Sequence, residues 1–176
     1  MALPSTIYRA NIQLSDIDRG IYESLPFTVA RHPSETEERL VARLLAYALF
    51  FEPDLTFTKG ISAGDEPDLW LKGPDGRVRL WIEVGLPEPQ RLIKASRHSE
   101  RAALVAVGKS LPTWEQQHLS QLEGIPNVMV IRIDQTFITR LVSRLERSIS
   151  WSITITEGTL YLAVADETLE TSLHMR

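Results

Sequence analysis

The pattern of apolar and polar positions divides the chain into short periodic blocks. Thr6 to Leu14 reads as an opening strand, and Ile21 to Ala30 carries a second strand pattern broken by Pro26. Proline cannot donate to a ladder, so that strand belongs at a sheet edge or a bulge. After Pro33 the period changes: Leu40, Val41, Leu44, Leu45 and Ala48 recur at helical spacing. Ser34 is the expected N-cap, with Glu37 at the third position of a capping box. Leu55 to Thr58 reads as a strand, Glu88 to His98 as a helix, and Ala102 to Val107 as a buried strand. A helix is expected over Pro112 to Leu122 and a buried strand over Val128 to Ile133. Phe137, Leu141, Val142, Leu145 and Ile149 predict a helix over 137–149. Trp151 to Thr156 and Thr159 to Val164 flank Glu157-Gly158, a hairpin turn. The residues beyond have little period and are expected to fray.

The chain is organised around Gly64 to Gly85, GDEPDLWLKGPDGRVRLWIEVG. Gly73-Pro74-Asp75-Gly76 separates two apolar runs, and this turn chemistry predicts a hairpin with strands near Asp68 to Lys72 and Arg77 to Val84. Each strand carries one carboxylate among apolar neighbours. Strand alternation puts Val78, Leu80, Ile82 and Val84 on one face, and Arg79, Trp81 and Glu83 on the other. With a four-residue turn, residue 72 faces 77 and residue 68 faces 81. Asp68 and Glu83 then lie diagonally on one face with Cβ atoms roughly 6–8 Å apart. Two carboxylates so placed can reach one magnesium ion, whose oxygen ligands stand at about 2.1 Å. A one-residue bulge would put them on opposite faces unless it lay between them and restored parity. The bland alternative is a solvated hairpin with ordinary surface acids.

Composition narrows the chemistry. The chain has 176 residues, 43% hydrophobic, and no Pro/Gly-rich linker, which predicts a single α/β domain over 1–176 with a mixed central sheet and flanking helices. Having no cysteine excludes disulfides, thiol chemistry and thiolate zinc sites, and the four histidines are scattered. No apolar run approaches the roughly 18 residues of a membrane span, and the N-terminus lacks a secretion-signal pattern, so the expectation is a cytoplasmic protein without a membrane partner. A net charge of −4 means that any nucleic-acid contact needs a local basic patch. Arg91, Lys94, Arg97 and Arg101 supply the best basic stripe, at spacings of three and four; a solvated helix face is the alternative. Asp16 and Asp18 open like a calcium loop, but the rest of that pattern is missing. No dinucleotide fingerprint or P-loop occurs, so no nucleotide cofactor is expected.

The blocks RHPSETEERLVARLLAYAL at 31–49, FTKGISAGDEPDLW at 57–70, LWIEVGLPE at 80–88 and RLIKA at 91–95 resemble the YaeQ family along nearly the whole chain. That family is similar in fold to the PD-(D/E)XK nuclease-like superfamily. The resemblance implies a nuclease-like core over about 34–133, with the opening and closing hairpins as additions. It places the motif's two acids on Asp68 and Glu83, with the backbone carbonyl of Val84 as a further magnesium or manganese ligand. The acid of the first helix falls on Glu37, for which capping is the alternative. The superfamily's lysine position, two residues after Glu83, is Gly85. Lys94 can supply the missing ammonium from the next helix, and Arg91 can grip a phosphate. Two functions follow from the resemblance. One is a divalent-metal-dependent nuclease or phosphodiesterase acting on DNA or RNA. The other is a non-catalytic module that binds nucleic acid or a protein partner. A structural domain without metal is the plainest third reading.

Overall fold

Inward and outward side chains alternate along both opening strands, and the two pair along their full length. The computed structural model describes residues 3–59 and 65–176; residues 60–64, within the 57–70 block and including the Gly64 that opens the central stretch, lie outside the described residues. Strands β1 (Thr6–Asp16) and β2 (Ile21–Arg31) are antiparallel, with Thr6 opposite Arg31 and Asp16 opposite Ile21. Tyr8, Ala10, Ile12 and Leu14 point into the core, and Pro26 sits on an edge strand, as its missing N–H requires.

The described chain divides into two compact units, one comprising Met1–Val41 and Ile133–Leu173, the other Ala42–Arg132 and His174–Arg176. Helix α1 (Glu37–Leu49) runs through the boundary between them in sequence. Each unit has its own sheet, so the single central sheet expected from the sequence is replaced by two, both mixed. The mixed α/β class holds.

In the first unit the sheet order is β10-β9-β8-β1-β2. Here β8 (Ser148–Thr156) runs parallel to β1, then turns through Glu157-Gly158 into β9 (Thr159–Val164) and on to β10 (Glu167–Ser172). The 157–158 turn has φ of 50° and 72°, the hairpin geometry expected. Asp18 accepts both N–H groups of that turn, at 2.7 and 3.0 Å, and Asp16 pairs with Arg19 at 2.5 Å. These contacts give Asp16 and Asp18 structural partners.

Two sequence expectations are corrected in this unit. Helix α4 covers only Gln135–Val142, and Ile149 belongs to β8, because Ile149, Trp151, Ile153 and Ile155 are buried at every second position. The C-terminal segment does not fray. Leu169 and Thr171 face inward, and β10 completes the meander.

The second unit has the order β11-β7-β6-β5-β4-β3. Strands β5 (Val78–Val84), β6 (Arg101–Ala106) and β7 (Val128–Arg132) are parallel, while β3 (Thr56–Phe57), β4 (Leu69–Lys72) and β11 (His174–Met175) pair antiparallel. Parallel strands need crossovers, supplied by α2 (Pro89–His98) and α3 (Leu111–His118), the latter followed by a 3₁₀ turn at Leu119–Gln121. Leu92, Leu104, Leu111, Trp114, Leu119, Leu122 and Val130 form the core beneath these helices.

The central hairpin closes differently from the four-residue turn expected. Gly73 and Arg77 are joined by a 2.8 Å bond, leaving Pro74, Asp75 and Gly76 as a three-residue loop with Gly76 at φ +82°. Lys72 then faces Val78 rather than Arg77. A second one-residue shift follows, since Leu71 faces Leu80 and Arg79 is left over. The two odd shifts add to an even one, so the inward and outward sets are preserved and residue 69, not 67, pairs with 82.

Deleting Arg79 therefore removes half of this compensation. The deletion is expected to cost about 3 kcal/mol or more in urea unfolding. Arg79→Ala, which loses only a solvated 3.6 Å pair with Glu100, is expected to stay within about 1 kcal/mol of wild type. Equal stabilities for the two variants would contradict the parity argument.

Candidate functional site

Trp70 lies opposite Trp81 on β4 and β5, with ring centroids 6.4 Å apart in an edge-on arrangement. Glu83 stands two residues beyond Trp81 on the same face of β5, and Asp68 stands immediately before β4. The alternate positions Leu69, Leu71, Leu80, Ile82 and Val84 are buried on the other face. Both carboxylates are themselves buried, with 3% and 5% of their surface exposed.

Asp68 lies just outside β4 and is held through its backbone. Its N–H donates to the Ile82 carbonyl at 2.9 Å, and its carbonyl accepts from the Thr58 N–H at 3.1 Å. The Thr58 hydroxyl donates to the Pro67 carbonyl at 2.5 Å. The Asp68 side chain reaches over the end of β5, where Oδ2 accepts the Val84 N–H at 2.7 Å. The resemblance implies a role for the Val84 carbonyl; the contact with Asp68 uses the Val84 amide.

Glu83 is met by two donors at one oxygen. Its Oε1 accepts from Trp81 Nε1 at 2.9 Å and from Arg91 Nε at 2.6 Å. Arg91 also donates from Nη2 to the Glu66 carbonyl at 2.7 Å. Burial pushes the Glu83 carboxyl above its usual range; the Trp81 bond and the Arg91 charge pull it down, and the Asp68 charge pushes it up again. Burial outweighs the two donors.

The connection from β5 to α2 fixes where Arg91 stands. Gly85 has φ +112°, a conformation L side chains rarely adopt, so a lysine there would strain the backbone. Pro89 starts α2 at its first position, and Trp114 Nε1 anchors the loop by donating to the Pro87 carbonyl at 2.8 Å. Lys94 and Arg97 are exposed further along α2 and have no ion-pair partner among the described residues. Arg101 is not part of that helical stripe. The helix ends at His98, and Arg101 opens β6, where it pairs with Glu52 at 2.6 Å.

The first-helix acid is also placed differently from the capping box expected. Thr36, not Ser34, caps α1, its hydroxyl accepting the Arg39 N–H at 3.1 Å. Glu37 is thereby the first helical residue and is exposed, while the buried acid is Glu35, 3.6 Å from Arg39. Ser34 instead meets the His32 ring. Among the described residues no three His, Cys, Asp or Glu side chains converge. No described helix is long and apolar enough to cross a membrane.

The partners of Glu83 were not all visible in the sequence. Trp81 could have been found, since it lies two residues before Glu83 on the same strand face. Arg91 could not, because its position depends on the path of the 85–88 loop.

A family model described as YaeQ protein matches residues 1–173. The chain is 38% identical over 174 residues to a Salmonella typhi protein named uncharacterized protein YaeQ, covering 98% of this chain and 96% of that one. The Escherichia coli (strain K12) protein of the same name is 35% identical over the same shares. Among solved structures, the YaeQ protein from Xanthomonas axonopodis pv. citri superposes with a TM-score of 0.93 at 35% identity, covering 98% of each chain. The YaeQ protein from Pseudomonas syringae gives 0.92 at 42% identity, covering 99% of this chain and 97% of that one.

The raised Glu83 pKa sets a pH dependence. An acid whose folded pKa lies above its unfolded value binds more protons in the native state, so its contribution to stability falls as pH rises through that interval. The unfolding free energy of wild type minus that of Glu83→Gln is therefore expected to fall as pH rises upward from 4.5, the ordinary value. Urea unfolding across pH 4 to about 8 reads this directly. A difference that rises with pH would mean the Arg91 and Trp81 contacts outweigh burial.

Proposed function

The chain belongs to the YaeQ family, and we propose that its Asp68–Glu83 face binds a divalent cation and serves hydrolysis of a nucleic-acid phosphodiester. The observation that carries this reading is the burial of two carboxylates at the end of β5, Glu83 and the Asp68 that is bonded to the neighbouring Val84 amide. Such a pair costs several kcal/mol of desolvation and repulsion, a cost that a bound cation offsets. The donors are hard oxygens only, which suits magnesium or manganese; magnesium keeps several waters and needs few protein ligands. The residues present therefore fit the ion.

The element order α1, β3, β4, β5, α2, β6 runs helix, three strands, helix, strand, the order that the resemblance implies for a PD-(D/E)XK core, and it supports reading Asp68 and Glu83 as the two acids. When bound, magnesium or manganese would polarise a phosphoryl oxygen and lower the pKa of a coordinated water. Asp68 and Glu83 would hold it, with the Val84 carbonyl as a further oxygen. Asp68 is pre-oriented by the Val84 amide. Lys94 lies one helical turn beyond Arg91 and offers an ammonium for the charge developing on phosphate. With Arg97 it forms the solvent-facing part of the basic stripe.

One observation favours a second reading. Arg91 already neutralises Glu83, and Gly85 leaves no ammonium beside it. A protein built this way can bind nucleic acid or a protein without cleaving anything.

Incubation with pooled DNA and RNA separates the two. Cleavage is expected to require magnesium or manganese and to fall about a hundredfold or more in Asp68→Asn and in Lys94→Ala. Binding without cleavage by the folded wild type would favour the non-catalytic module. In binding assays at several salt concentrations, Lys94→Ala and Arg97→Ala are each expected to reduce the slope of log K against log salt by about 0.7 to 0.9. Unchanged slopes would mean that the stripe is a solvated helix face.

A further inference from the structure

We propose that Arg91 is a built-in cation that holds Glu83 until a divalent ion takes its place, whereupon its guanidinium turns to the substrate phosphate. This rests on the cation-site reading above and adds the exchange that governs it.

Among the described residues the guanidinium has two holds of different kinds. Nε donates to Glu83 Oε1 at 2.6 Å, a charge-assisted bond. Nη2 donates to the neutral carbonyl of Glu66 at 2.7 Å, in the segment that leads into Asp68. The first hold competes with a metal and the second does not. An ion held by Glu83 would stand about 2.1 Å from its oxygen. Arg91 Nε approaches Oε1 almost as closely, and two cations sharing one buried carboxylate oxygen repel strongly. Entry of the ion at Oε1 therefore breaks the first hold. The Glu66 hold survives and keeps the freed group at the rim.

Exposure gives the direction of the swing. The Arg91 side chain is 36% exposed and the Glu83 side chain 7%, so the guanidinium forms the solvent side of the pair. A group released there is on the side from which a polyanion approaches. Its planar fork can grip a phosphate through two bonds while Nη2 or its neighbour stays near Glu66, which a lysine ammonium cannot do. Arg91 thus lowers the affinity for metal in the absence of substrate and makes metal and phosphate binding mutually reinforcing.

Terbium is a suitable probe, because Trp81 Nε1 lies 2.9 Å from Glu83 Oε1 and can sensitise its luminescence. Terbium is titrated into wild type, Arg91→Met and Asp68→Asn, and magnesium is then used to displace it. Arg91→Met is expected to bind both ions about tenfold or more tightly than wild type, the size of one charge-assisted hydrogen bond. Asp68→Asn is expected to lose saturable binding. If Arg91→Met does not fold, the wild type decides the matter by NMR. The Arg91 Nε–H resonance, assigned by its loss in Arg91→Lys, is expected to shift and exchange faster with solvent at saturating magnesium. Saturable metal binding with an unmoved Nε–H resonance, or equal affinity in folded Arg91→Met, overturns the exchange and leaves the cation site standing. No saturable binding in wild type or in folded Arg91→Met overturns the cation site itself.

Discussion

A β-strand presents its side chains to alternate faces, so an odd shift in pairing between β4 and β5 would exchange Glu83 with Ile82. The acid would enter the apolar core and the isoleucine would take its place beside Trp81. The hairpin avoids this with two separate one-residue offsets. Gly76 in the left-handed region allows the three-residue loop, and Arg79 bulges out a few residues later. Everything described at the site follows from their sum being even. Trp70 meets Trp81, and the Val84 amide is positioned for the Asp68 carboxylate.

That arrangement is electrostatically costly, and the surrounding elements manage it without removing the cost. Asp68 is fixed by backbone contacts from Thr58 and Ile82 and by the Val84 amide. Glu83 receives an indole N–H and a guanidinium, yet burial still dominates its ionisation. A site of this kind is poised. Under the cation binding proposed above, an ion that displaced Arg91 would add further stabilisation.

Much of the fold was legible in local chemistry. The Gly73-Pro74-Asp75-Gly76 turn, Pro26 on an edge strand and the Glu157-Gly158 turn each have a mechanism confined to a few residues, and each was readable. The register of the hairpin was not: the four-residue turn predicts residue 67 opposite 82, whereas two one-residue shifts add up and put Leu69 there. Elements governed by tertiary context were harder to read. Ile149 continues a helical spacing and also starts an alternating one, and only pairing with β1 selects the strand. Ser34 and Thr36 are both capable caps, and the turn made by His32 and Ser34 leaves Thr36 to do it. The separate sheet of the first unit required long-range pairing of β1 with β8, which no local signal announces. Arg91 was read as a phosphate contact because its spacing marks a basic stripe, but the loop anchored by Trp114 aims it at Glu83.

The most direct test of the account is anomalous diffraction from crystals grown in millimolar manganese. The account predicts a manganese peak between the Asp68 and Glu83 carboxylates, about 2.1 to 2.3 Å from an oxygen of each, with Arg91 Nε withdrawn from Glu83. A well-ordered site with no manganese peak there, and Arg91 still bonded to Glu83, would contradict it.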